Sequence, residues 1–124
     1  MNIFSGTYST GILNYGTFSS IAGAEIHLDE VGGGIISIRA FTNAGIIRMG
    51  ENAPLAAMGI LNLQANGVFN NNAGGDISIR YTTKDAIQND APSSFFNNAC
   101  AQLTIFGSVN NSSTFTNAGL FRVN

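Results

Sequence analysis

The side chains able to do chemistry are few. His27 is the only histidine and Cys100 the only cysteine. The acids are Glu25, Asp29, Glu30, Glu51, Asp76, Asp85 and Asp90. A histidine needs a nucleophile and an orienting acid to run hydrolysis. No Ser-His-Asp set can be assembled around His27, which aligns with Ser78 and Thr104 of a repeat and reads as an outward strand residue. One histidine and one cysteine fall short of a zinc site. Glu25 and Asp76 hold equivalent repeat positions, with Gln102 as the third copy. Paired acids would suit Ca²⁺ or glycoside hydrolysis. Replacement by Gln points instead to an outward polar position. Asp85 and Asp90 fall in the longest polar insertion, 82–94, read as a surface loop where binding would be placed if anywhere. No catalytic residue, metal site or cofactor is expected.

Arg39, Arg48, Arg80 and Arg122 each follow or interrupt an apolar strand pair. An outward basic strip would meet anionic glycans; solubilising charges that block edge pairing are the plainer reading. Cys100 stands where other copies have Gly23 and Gly74, so it reads as a small packed side chain rather than a nucleophile. Gly32-Gly33-Gly34 and Gly74-Gly75 lack the Lys-Ser/Thr of a phosphate loop and read as turns. Tyr8, Tyr15 and Tyr81 are the sugar-stacking candidates, and they are scattered.

These residues sit in a repeat. Residues 41–49, Phe-Thr-Asn-Ala-Gly-Ile-Ile-Arg-Met, align without a gap on 115–123, Phe-Thr-Asn-Ala-Gly-Leu-Phe-Arg-Val. Residues 69–79 match 95–105 at an offset of 26. The anchor asparagines are Asn14, Asn43, Asn72, Asn98 and Asn117, spaced 29, 29, 26 and 19 apart. Each introduces a short alternating stretch, such as Ile77-Ser78-Ile79 or Leu103-Thr104-Ile105. Alternation bounded by Gly and Asn predicts half-buried strands. Further strands are expected at 35–38 and 60–63. Gly and Asn leave little room for helix, except a short helical turn over 52–59, where Asn52 would cap, Pro54 start and Gly59 end it.

The fold expected is all-β: a parallel β-helix (β-solenoid) of about five coils, with little or no helix. Stacked asparagines would form amide ladders at the corners. Alternating Ile, Leu, Val and Phe would fill the narrow core. An antiparallel β-sandwich is the alternative, but it does not require gapless repeats. Residues 1–124 read as one solenoid domain, with 1–12 as an N-terminal cap or first partial coil. A solenoid needs caps, and the last repeat, 115–124, reads as uncapped. This is expected to mark a segment of a longer solenoid or a chain whose end pairs with another copy.

Composition agrees. Sixteen Asn and 15 Gly accompany only 10% charged residues and a net charge of −2. Stacked like charges would repel, so a solenoid favours few of them. A neutral chain without clustered Lys and Arg argues against nucleic-acid binding. Its apolar runs fall far short of the ~20 residues of a membrane span, and no signal peptide is read at the start.

The segments at 96–105 and 115–123 resemble the Asn/Gly-rich repeats of large secreted bacterial surface proteins, adhesin-like β-helix proteins among them. The resemblance extends over roughly 11–124. It implies a parallel β-helix from an extracellular or cell-surface protein. The expected function is therefore structural and non-catalytic: a segment of an adhesin or a subunit of a self-assembling fibre. Its partners would be copies of itself or adjacent coils, stacked end to end. A carbohydrate-binding or carbohydrate-active β-helix, with a glycan surface, is the alternative.

Overall fold

A computed structural model describes residues 1–4 and 9–124. The chain winds as a parallel β-solenoid with three strands per coil. After β1 (Asn2–Phe4) come β2 (Thr10–Asn14), β3 (Phe18–Ser20) and β4 (Glu25–Asp29). The second coil is β5 (Gly33–Ser37), β6 (Ala40–Asn43) and β7 (Ile46–Met49). The third is β8 (Ile60–Asn62), β9 (Val68–Asn71) and β10 (Asp76–Ile79). The fourth is β11 (Ile87–Asn89), β12 (Ser94–Asn97) and β13 (Gln102–Ile105). The fifth is β14 (Val109–Asn111), β15 (Thr114–Asn117) and β16 (Leu120–Val123).

Each strand pairs with its equivalent one coil away, always parallel. Sheet I is β2-β5-β8-β11-β14, sheet II is β3-β6-β9-β12-β15, and sheet III is β1-β4-β7-β10-β13-β16. Five coils are four turns apart from first to last. At about 4.8 Å per rung the axis between them is roughly 20 Å long.

Period-2 alternation decides which residues face inward. Sheet II stacks Phe18, Phe41, Phe69, Phe95 and Phe115, with ring centroids 4.6, 4.5, 4.8 and 4.9 Å apart. Their planes lie within 13° of parallel. Strand spacing is itself near 4.8 Å, so parallel pairing imposes this face-to-face stack. Sheet I contributes Ile12, Ile35, Ile60, Ile87 and Val109. Sheet III contributes the column Ile26, Ile47, Ile77, Leu103 and Phe121. Apart from the first and last rungs, these side chains are fully buried.

Corner lengths vary more than strands do. Between sheets II and III, some corners have two residues, Ala44-Gly45 and Ala118-Gly119. Others have four, as in 72–75 and 98–101. The third residue of a four-residue corner adopts positive φ: 84° at Gly23, 84° at Gly74 and 63° at Cys100. Between sheets III and I the corner is three residues at 106–108 but ten at 50–59 and seven at 80–86.

Several expectations change here. The strand expected at 35–38 is Gly33–Ser37, and that at 60–63 is Ile60–Asn62. No helix forms among the described residues, and 52–59 lies within the ten-residue corner. Backbone hydrogen bonds from that corner go to neighbouring rungs rather than along a helical turn: Leu55 N–H donates to Tyr81 O, and Ala56 N–H to Val31 O.

Candidate functional site

Two corner columns are polar inside an otherwise apolar wall. Sheets I and II both end on an inward polar residue, in the pattern apolar-x-Asn. In sheet I the column is Asn14, Ser37, Asn62, Asn89 and Asn111. In sheet II it is Ser20, Asn43, Asn71, Asn97 and Asn117. Asn43, Asn62, Asn71 and Asn89 are fully buried. A buried amide must find partners or lose its hydration uncompensated.

The partners are one another. Asn43 Nδ2 donates to Asn71 Oδ1 at 2.9 Å, Asn71 to Asn97 at 2.9 Å, and Asn97 to Asn117 at 2.7 Å. In sheet I, Asn62 donates to Asn89 at 2.9 Å and Asn89 to Asn111 at 2.8 Å. The second N–H of each donor reaches a backbone carbonyl past the corner, in most cases the first residue of the following strand one rung on, as Asn71 does to Gln102 O at 2.8 Å. Every asparagine–asparagine bond in these two columns runs the same way, from the earlier rung to the later. The serine rungs interrupt the pattern. Ser37 Oγ donates to Arg39 O, and Asn62 Oδ1 above it has no partner among the described residues. Ser20 Oγ is likewise unpartnered.

The five anchor asparagines therefore do not form one column. Asn43 and Asn117 belong to the sheet II ladder, while Asn14 belongs to sheet I. Asn72 and Asn98 lie one residue beyond the ladder and bond each other, Asn98 Nδ2 to Asn72 Oδ1 at 2.8 Å. The two extra residues of their corners displaced the anchor by one. Asn62, Asn71, Asn89, Asn97 and Asn111 were missed. The signal was the recurrence of Ile/Val-x-Asn beside Phe-x-Asn, two asparagines per coil.

At the fifth rung the ladders end on open ground. Asn111 and Asn117 are exposed, and each Nδ2 donates within its own corner, to Ser113 O at 2.8 Å and Gly119 O at 3.1 Å. Among the described residues no strand pairs with the free side of β14, β15 or β16. Leu120 and Asn124 N–H groups donate back to Ala101 and Ile105. Parallel pairing alternates sides, so Phe121 and Val123 aim their backbone groups outward. Phe115 and Phe121 are only half buried there, and Val123 is 59% exposed.

The titratable candidates lie on the outer surface. His27, Arg48, Ser78, Thr104 and Arg122 form the outward column of sheet III. Glu25, Ile46, Asp76, Gln102 and Leu120 form the one beside it. His27 Nε2 lies 3.5 Å from Glu25 Oε2 and Nδ1 lies 3.9 Å from Glu51 Oε2. Arg48 sits 3.7 Å from Glu51 Oε1 and 2.6 Å from Asp76 Oδ2. Arg48 thus ion-pairs with both acids, and the Asp76 pair links two rungs. Such pairs on a surface contribute about 0.2–1 kcal/mol each. Among the described residues no group of three or more His, Cys, Asp or Glu is placed to hold a metal ion.

The four arginines do not form a strip. Arg48 and Arg122 share a column, Arg39 lies in another corner, and Arg80 lies over the rings of Tyr81 and Phe106 at 5.7 and 5.5 Å. The stretch 82–94 is not one loop, because β11 runs through its middle. Asp85 accepts from Ser108 Oγ and Asp90 from Gln88 Nε2, at opposite ends of that strand. Cys100 is exposed rather than packed, since its corner position points outward. Tyr15 and Tyr81 occupy different corners, and Tyr8 lies outside the described residues. No helix among the described residues is long and apolar enough to cross a membrane. No protein-family model, curated protein or solved structure matches this chain.

Proposed function

We propose that the chain is a structural, non-catalytic β-solenoid segment of an extracellular bacterial adhesin, or a subunit of a self-assembling fibre. The observation that carries this is the fifth rung. It offers unpaired strand edges, half-buried phenylalanines and two ladder amides with spare N–H groups, all in the register a further rung would need. A next rung of the same pattern, in the same polypeptide or a second copy, would satisfy every one of these groups. The outward charges brace neighbouring rungs and gather no reactive set. The extracellular placement rests on the resemblance to Asn/Gly-rich surface repeats.

Electron microscopy and fibre diffraction of the purified chain test the subunit reading. Long particles with a ~4.8 Å axial repeat are expected. Val123→Pro removes an outward N–H and puts a ring at the docking edge, so it should abolish them while leaving the fold intact. A wild-type chain that stays monomeric at high concentration rejects self-assembly. Assembly undisturbed by Val123→Pro rejects the fifth rung as its docking edge.

A further inference from the structure

The outward face of sheet I carries three apolar rungs in succession, which no outward column of sheets II or III does. Its outward column reads Leu13, Ile36, Leu61, Gln88 and Asn110. The first three rungs are apolar where a solvated face should be polar, and Leu13 is 49% exposed. Ile36 and Leu61 are half-buried. They form part of the floor of a groove of about 520 Å³. Its wall is raised by the long corners between sheets III and I: Ala56, Ala57 and Met58 from 50–59, and Lys84 from 80–86.

The solenoid does not need these walls. The corner at 106–108 makes the same turn with three residues. The longer corners feed the main core, with Leu55 and Ala86 fully buried in the same cluster as Val31 of the short corner 30–32. The bridge Leu55–Thr82 ties the two long corners together. So the departures from the repeat build a held wall, not a loose loop. The volume falls within the range of small-molecule pockets.

The one charge in the groove is Lys84, the chain's only lysine. It is exposed and enters no ion pair among the described residues. The neighbouring Asp85 is occupied by the Ser108 hydroxyl. An apolar trough with a single ammonium at its wall that enters no ion pair among the described residues complements one ligand chemistry. We propose that this groove binds a small anionic amphiphile, an alkyl chain laid along Ile36 and Leu61 with its anionic head on the Lys84 ammonium.

Octanoate and 1-octanol are the probes, since they share the chain and differ in the head. Titration calorimetry gives the affinities, and methyl NMR shifts at Met58, Ile36 and Leu61 give the place. Octanoate should bind with shifts confined to those methyls, and more tightly than octanol. Lys84→Ala should weaken octanoate about tenfold, the size of one charge-assisted contact, and leave octanol unchanged. Lys84→Arg should restore it. Leu61→Asn should weaken both, with an unaltered circular dichroism spectrum showing that the solenoid is intact. No octanoate binding, shifts elsewhere, or equal octanoate affinity in Lys84→Ala would each overturn the proposal.

Discussion

Removing one interior rung of the sheet II ladder should cost far more than removing its last. Asn71 is fully buried, accepts from Asn43 Nδ2 at 2.9 Å and donates to Asn97 Oδ1 at 2.9 Å and Gln102 O at 2.8 Å. Asn71→Ala strands one N–H of Asn43 and the Oδ1 of Asn97, and withdraws a donor from Gln102. Two buried groups left unsatisfied cost about 1–3 kcal/mol each, and the third lost bond about 0.5–1.5. The loss should be about 4 kcal/mol, a large part of the 5–15 kcal/mol typical of a whole domain. Asn117→Ala strands one N–H of Asn97 and withdraws a donor from Gly119 O, both at an exposed end where water replaces the partner, so its loss should stay below about 1 kcal/mol. Asn72→Ala breaks one half-buried bond and should cost about 1 kcal/mol. Urea unfolding followed by far-ultraviolet circular dichroism would rank the three. Equal losses for Asn71→Ala and Asn117→Ala, or an Asn71→Ala loss under 1 kcal/mol, would refute the ladder as a source of stability.

Ser37→Asn should extend the sheet I ladder by giving Asn62 Oδ1 its missing donor, raising stability by about 1 kcal/mol in the same assay. Cys100→Gly should stabilise by about 0.5–1 kcal/mol, because a residue with a Cβ is strained at φ 63° and its equivalents are glycine. A lower unfolding midpoint for this variant would show that the corner is not strained. Phe69→Ala removes a fully buried ring from between two others and should cost about 3–5 kcal/mol. Phe115→Ala, at the half-buried last rung, should cost clearly less.

The solenoid was legible because its periodicity is overdetermined. Phe41, Phe69, Phe95 and Phe115 repeat with the polar ladder residue always two places on. Parallel stacking turns that into columns, so the outward alignment of His27 with Ser78 and Thr104 followed directly. What escaped was governed by corners. Two inserted residues before Asp76 and Gln102 hid which asparagine faces inward. The stretch 50–59 satisfies its backbone through neighbouring rungs, and a single chain segment carries no mark of partners so distant. The groove was invisible for the same reason. Its floor residues Ile36 and Leu61 look like ordinary strand residues until the inward face is known.

The one-way bonding of the amide ladders has a geometric consequence. Every asparagine–asparagine bond in the two columns runs forward, so the columns have a direction, and the last rung presents amide hydrogens on Asn111 and Asn117. Two chains meeting tail to tail would set donors against donors, so no two-fold dimer can continue the ladders. Head-to-tail addition keeps their direction, and with a translation along the axis such a contact never closes on itself. A polymer joined through the ladders would therefore be vectorial, with the last subunit at one end always showing Asn111 and Asn117 to the next.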